Sequence, residues 1–314
     1  MNKSVTIGFS INPEIIPEFD RMTQSEKAEL YKIECSLGGT SANVAKAIYN
    51  LSEIKPEVLA LTSEDERDFN TNCLRFASED YPIHLCEIPI MNKSNIALIP
   101  IDGLTHSSSV WGFKGKINKE KIGAFLENIR QKKSTWKIAT GVRPEEFLFA
   151  EALFSGDGCK SLNPKENLIV EKDLFFSLLK RTDLLILNMR EYELFTQTHN
   201  EINSMGDMIN LGPKMIIVTN GEKGGKFHIK NKTGELREKF SSVTSYQKLE
   251  SGVYATGTGD WFNGGFTSYC LNIGKTIDDI DGSEVQSAIN FAAKVGGKKV
   301  TMLGASNGPS KLDL

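Results

Sequence analysis

Two glycine-rich turns each run straight into a helical pattern, and an acid stands at the head of one of them. Ala255-Thr256-Gly257-Thr258-Gly259-Asp260 leads into Trp261-Phe262-Asn263-Gly264-Gly265-Phe266 and an apolar stretch. Glycines on either side of Thr258 let the backbone N–H groups of Gly257, Thr258 and Gly259 turn into one concavity, and the helix behind them adds the positive end of its dipole. Such a turn cradles an anion. Asp260 has two readings there: a plain N-cap, which propensity alone favours, or a general base beside a phosphate being transferred. The second turn, Ser36-Leu37-Gly38-Gly39-Thr40-Ser41-Ala42-Asn43, also has two. It is a helix start capped by Thr40 or Ser41 with Asn43 in solvent, or a place where the Gly39 backbone and Asn43 hold hydroxyls of a polar ligand. Glycine turns before helices are common, so neither motif decides alone.

These turns need a scaffold. Residues 5–11 read as a buried first strand and residues 41–51 carry Ala and Val at helical spacing. Between them, 14–32 is charged and irregular, a surface loop or part of an accessory layer. Short β-rich pieces between 81 and 111, separated by Pro82, Pro89 and Asp102-Gly103, look like a small added sheet. From 119 onward helix and strand alternate: helices at 119–132, 145–154, 172–180 and 192–195, strands at 137–140, 161–162, 184–187 and 215–218. Continuous apolar strands separated by amphipathic helices imply an open, doubly wound parallel sheet covered on both faces. Ligands of such sheets sit beyond the carboxyl ends of the strands.

The 314 residues are 39% apolar, 25% charged and 9% aromatic, with a net charge of −3. That is globular usage, with enough chain for a large core and no global attraction for nucleic acid. No apolar run approaches a membrane span and the N-terminus lacks a signal-peptide pattern, so neither membrane nor export is expected and the cytoplasm is the simplest location. Five scattered cysteines (Cys35, Cys73, Cys86, Cys159, Cys270) form no CxxC pair, and Cys270 reads as a buried inert thiol. The four histidines show no metal-ligand spacing and take no catalytic role.

Taken together, the motifs carry a family resemblance. GGTSANVAKAIYNL is similar to the GGxxxNxA motif, and ATGTGDWFNGGF to the DTxGAGDxFxxGF signature, of the ribokinase-like (PfkB-type) carbohydrate kinases. Leu187-Asn188-Met189-Arg190-Glu191 resembles the NxxE motif, and Val218-Thr219-Asn220-Gly221-Glu222-Lys223-Gly224-Gly225 the VTxGxxG nucleotide turn. Leu162-Asn163-Pro164 and Thr140-Gly141-Val142-Arg143-Pro144 match two further turns, all in family order over nearly the whole chain. The resemblance implies a three-layer α/β/α sandwich with a mostly parallel central sheet. It is one domain over 1–314, with a small β-sheet lid from about 12–35 and 81–113. It implies transfer of the γ-phosphoryl group of ATP to a hydroxymethyl group of a sugar or sugar phosphate, with Asp260 as base and Gly257, Thr258 and Gly259 as anion hole. Asn188 and Glu191 would organise Mg²⁺ through water. Nucleotide would lie over Thr219, Gly221 and Gly224 beside a helix at 287–297, where Asn290 is a polar contact or a solvated position.

The substrate side departs from the pattern. Asn12 and Glu14 fall at the first-strand turn that contacts sugar hydroxyls. A different alignment puts Ile16 at the acidic position, and Glu14 is preferred because a carboxylate accepts hydroxyl hydrogen bonds. Gly39 and Asn43 complete that side, although Thr40 replaces the lysine of the common GGKG form. Lys93 and Asn95 lie where lid residues meet substrate and Arg143 follows a substrate turn; clustered, they would point to a phosphorylated sugar, whereas singly Lys93 reads as surface and Arg143 equally as surface or as a ligand contact. Tyr254 stands where the signature has Asp and Ala255 where it has Thr, which removes a potassium ligand and argues against activation by K⁺. The Gly304-Ala305-Ser306 turn resembles the family's last motif. The resemblance also raises a homodimer through the lid. The alternatives are a nucleoside or vitamin kinase, and a non-catalytic sugar- or nucleotide-sensing homologue.

Overall fold

A computed structural model describes residues 3–19, 30–102, 111–199, 201–240, 256–302, 305 and 307–314. Tyr254, Ala255, Gly304 and Ser306, and the lid stretches 20–29 and 103–110, lie outside the described residues.

The chain begins with β1 (Val5–Phe9), leaves it for β2 (Asn12–Phe19) and β3 (Leu30–Gly38), and returns through α1 (Thr40–Ser52) to β4 (Glu57–Ser63), α2 (Phe69–Glu79) and β5 (His84–Met91). Three short strands follow: β6 (Ile96–Leu98), β7 (Ile101–Asp102) and β8 (Trp111–Phe113). Alternation then sets in with α3 (Ile122–Arg130), β9 (Trp136–Val142), α4 (Phe147–Leu153), β10 (Cys159–Pro164), α5 (Glu166–Ile169), α6 (Lys172–Leu179), β11 (Leu184–Asn188), α7 (Met189–Thr198), α8 (Met205–Ile209) and β12 (Met215–Thr219). The last elements are β13 (Gly225–Asn231), β14 (Gly234–Phe240), α9 (Thr258–Ile273) and α10 (Gly282–Lys299).

Nine strands form one sheet in the order β14-β13-β12-β11-β10-β9-β1-β4-β5, parallel from β12 to β5, with β13 and β14 antiparallel at the edge. Its inner strands are apolar on both faces because both are covered. Ile7, Ile138, Leu184 and Ile217 pack under α1, α9 and α10, and Leu162, Leu185, Leu187 and Val218 pack under the helices from α3 to α8. This is the expected three-layer α/β/α sandwich. A second sheet joins β3, β2, β6 and β8, with β7 paired to β2.

The small sheet is narrower than the sequence suggests. His84–Met91 pairs in parallel with β4 and closes the edge of the large sheet, so the segment starting at 81 is not all lid. Its polar alternation reflects an edge strand, half-exposed along one side. Of the charged stretch at 14–32, residues 14–19 lie in β2 and 30–32 in β3 of the small sheet, the accessory-layer reading. The helix expected over 119–132 is a 3₁₀ turn at 119–121 followed by α3.

Parallel register aligns the carboxyl ends of the strands: Phe9 lies beside Thr140, Thr140 beside Asn163, and Asn188 beside Thr219. Helix α9 is buried along most of its length between α1 and α10. Two consecutive glycines make room for both neighbours. A Cβ on Gly264 would collide with Ala47 and sit 3.0 Å from the Val44 carbonyl of α1, and one on Gly265 would sit 3.1 Å from Val295 of α10. Gly264→Ala is therefore expected to destabilise the protein by about 1–3 kcal/mol despite alanine's better helix propensity. A urea midpoint that falls with an unchanged m-value is the result that checks it.

Candidate active site

Gly257 caps α9 in the left-handed region (φ 82°), where a side chain would strike the Ala305 carbonyl. Only glycine fits there without strain. The N–H groups that follow have no partner within the helix, as at any helix start. The space a Cβ would occupy on Gly259 is open, and the Thr258 hydroxyl is buried without a hydrogen-bond partner. The turn is thus a cradle of donors at the positive end of a sixteen-residue helix.

Asp260 stands in the first turn of that helix. It makes no side-chain cap; instead its Oδ2 accepts a hydrogen bond from Asn43 Nδ2 at 2.8 Å, across the packed α1–α9 pair. Burial pushes the Asp260 carboxyl up to about 6, against the pull of the Asn43 hydrogen bond and the charges of Lys165 and Lys299. A carboxyl near 6 is poised to accept a proton at neutral pH. The N-cap reading of Asp260 and the solvated reading of Asn43 both give way to this pair.

Glycines also fix the start of α1. Gly39 (φ 88°) lies against the Ser10 carbonyl and Asn12 Oδ1, and its N–H donates to the Glu14 carboxylate. Glu14 lies across Gly38, where any side chain would overlap it. Desolvation raises Glu14 to about 7, with the Gly39 hydrogen bond opposing and the Asp260 charge adding to the rise. Asn12, Glu14, Gly39, Asn43 and Asp260 therefore come together at one end of the sheet. Ile16, two residues on in β2, pairs with Glu34.

Asn188 and Glu191 form a reciprocal capping box on α7. Asn188 Oδ1 accepts from the Glu191 N–H at 2.8 Å, and Glu191 Oε2 accepts from the Asn188 N–H at 2.9 Å. Glu191 is buried, which raises its carboxyl, while the Lys165 charge lowers it and the Asp260 charge raises it. Thr219 ends β12 beside Asn188, and Gly221 and Gly224 follow with positive φ in a tight turn closed by the Asn220 N–H on the Gly224 carbonyl. Asn290 is exposed on α10 and accepts from Gln286 one turn earlier. Among the described residues no cluster of three or more His, Cys, Asp or Glu is arranged to hold a metal.

The three groups that would mark a phosphorylated acceptor are not joined to one another by any hydrogen bond or ion pair among the described residues. Lys93 is exposed, Asn95 Oδ1 accepts from the Gly115 N–H at 3.0 Å, and the Arg143 guanidinium is tied to buried Glu146 at 2.5 Å. Sequence reasoning missed two cations whose charges act on Asp260, Lys165 and Lys299. Lys165 directly follows Asn163-Pro164 at the end of β10, so its place in a post-strand turn was the available signal. Lys299 sits two residues beyond the helix boundary read from periodicity and carried none.

Comparison with known proteins agrees with this architecture. Residues 159–312 match the model of the pfkB family carbohydrate kinases. That match lies in the second half of the chain, and the fold is ribokinase-like throughout. Three similar solved structures are an Arabidopsis thaliana ribokinase complexed with ribose and ATP, a Burkholderia thailandensis nucleoside kinase in complex with inosine, and an Escherichia coli phosphofructokinase-2 in complex with potassium. The ribokinase is 18% identical, with 98% of this chain and 95% of that one covered and a TM-score of 0.65. The nucleoside kinase is 16% identical, with 99% and 95% covered and a TM-score of 0.66. The phosphofructokinase is 13% identical, with 100% and 97% covered and a TM-score of 0.73. No curated protein matches the chain in sequence.

Carboxyl-carbon NMR of Asp260 is expected to show a titration midpoint near 6 in the wild type. In Asn43→Ala the midpoint should move higher, because the lost hydrogen bond favoured the charged form. An unmoved midpoint would show that Asn43 does not tune this acid.

Proposed function

We propose that the chain is an ATP- and Mg²⁺-dependent kinase that phosphorylates a hydroxyl group of a sugar or nucleoside. The observation that carries this reading is the Asp260 carboxylate, held by Asn43 at 2.8 Å directly beyond the open Gly257–Gly259 turn. A base for the acceptor proton and a preorganised cradle for a phosphoryl group are what phosphoryl transfer asks of a protein.

Bound ATP supplies the γ-phosphoryl group and ADP as leaving group. Asp260 takes the hydroxyl proton as the acceptor oxygen bonds to phosphorus and the bond from phosphorus to the bridging oxygen breaks. The N–H groups of Thr258 and Gly259 stabilise charge on the equatorial oxygens. Thr219, Gly221 and Gly224 form the floor for the nucleotide, with Asn290 at its margin. Glu191 keeps Oε1 free beside its capping bond, and that oxygen with Asn188 would hold the waters of a Mg²⁺ ion brought by the phosphates. Asn12, Glu14 and Asn43 supply acceptors and a donor for acceptor hydroxyls. Glu14 and Asp260 face the acceptor as two carboxyls while Arg143 is engaged by Glu146, which favours a neutral polyol over a sugar phosphate.

ATP turnover with Mg²⁺ across a panel of sugars, sugar phosphates and nucleosides tests the reading. Turnover with one neutral polyol, reduced about 10²–10⁴-fold in Asp260→Asn, is the expected result. Ligand binding by thermal shift without turnover would favour a sensing protein.

The small sheet also suggests self-association. Ile33, Trp111 and Phe113 are 61%, 62% and 48% exposed on it, an apolar group suited to a second copy of the chain. Sedimentation should show a dimer that Trp111→Glu shifts to monomer; a monomeric wild type at micromolar concentration would sink this part of the proposal.

A further inference from the structure

The amino-terminal ends of the parallel strands carry a second concentration of charge, at the other end of the sheet from Asn43 and Asp260. A cleft of about 1200 Å³ opens there, lined by residues that lead into β1, β9, β10, β11 and β12 and by the turn between α9 and α10. Seven of its side chains are cationic and four are carboxylates. Lys214 holds two of those acids, Asp183 at 2.9 Å and Asp278 at 2.7 Å, while Lys132 and Arg130 pair with Glu57 and Glu127. Lys133, Lys137 and Lys160 form no ion pair among the described residues. Lys137 is the costly one. It is 1% exposed, yet its Nζ donates only to the Ser155 carbonyl. Strand register sets Lys160 beside it on β10, so two like charges leave the same face of neighbouring strands with about 5 Å between their Cα atoms. Burial and the Lys160 charge both weaken the hold of Lys137 on its proton, against the pull of Asp157. The chain turns past this ammonium at Gly156-Asp157-Gly158: a Cβ on Gly156 would lie 3.9 Å from Lys137 Nζ, and both glycines have positive φ (69° and 102°). The N–H groups of all three residues donate to nothing among the described residues. Successive free N–H groups in a turn are donors for an anion.

We propose that this cleft is a second ligand site, separate from the candidate active site, and that it binds the phosphate group of a small molecule. Lys137 supplies a fixed buried charge, half-buried Lys160 and exposed Lys133 the outer contacts, and the Gly156–Gly158 turn uncharged donors. A phosphate dianion suits this set. Its oxygens accept from several donors at once, and its charge offsets the Lys137–Lys160 repulsion, which a single carboxylate does only in part. None of the cleft's residues belongs to the candidate active site, so the proposal does not depend on the kinase reading.

The test follows backbone amide NMR signals of the full chain during titration with inorganic phosphate, with glycerol phosphate as a monoester, and with sodium chloride at matched ionic strength. Gly156 and Gly158 report on the cleft, Gly257 and Gly259 on the candidate active site. Saturable shifts at Gly156 and Gly158 with phosphate or the monoester, and none with chloride, are the expected result. In Lys160→Met and in Lys137→Met the dissociation constant read at the cleft should rise about tenfold, the loss of one charge-assisted contact, with the response at Gly257 and Gly259 unchanged. Tighter binding of the monoester would identify a phosphorylated metabolite as the occupant, and binding of inorganic phosphate alone the free ion; the site stands in both cases. Shifts confined to the Gly257–Gly259 turn, equal shifts with chloride, or a Lys160→Met variant that binds phosphate as the wild type does would each overturn the proposal. Lys160 is only half-buried, so its variant decides the matter if Lys137→Met fails to fold.

Discussion

The close approach of α1, α9 and α10 governs the rest of the molecule. Gly264 and Gly265 remove side chains on opposite flanks of α9, so that the backbone of α1 and the small residues of α10 come into direct contact with it. Helices packed through such flanks have little freedom to slide. That rigidity fixes Asn43 against Asp260. The chemistry-bearing atoms come from three helices and several strand ends, yet the packing of one helix positions the central group of them.

The electrostatics of the site follow from this packing. Three carboxyls, Glu14, Glu191 and Asp260, are drawn out of water and each has its affinity for protons raised. Lys165 and Lys299 oppose that rise at Asp260. The balance leaves a carboxyl that is largely ionised at neutral pH yet readily protonated. Backbone N–H groups, which carry no net charge, line the place where a phosphate would sit.

Much of this was legible in the residues. Apolar runs such as Leu184 to Leu187 and Met215 to Val218 could only be buried parallel strands, and glycine pairs before helices marked both turns of the site. The failures have physical causes. His84–Met91 shows one half-exposed edge, so its polar alternation imitates a small-sheet strand. The antiparallel β13–β14 hairpin closes the other edge, where exposure again masks the pattern. Lys299 was invisible because nothing local distinguishes a buried lysine from the exposed Lys298 beside it; only tertiary packing does.

The raised carboxyls also tie folding to proton uptake. Asp260 rises from 3.8 to about 6 and Glu14 from 4.5 to about 7 on folding, so over that interval the folded chain holds protons the unfolded chain has released. Stability contributed by these groups is complete below their unfolded values and is lost as pH rises through the folded ones. The molecule is thus linked to solvent protons: acid conditions favour the fold through two carboxyls of the candidate site.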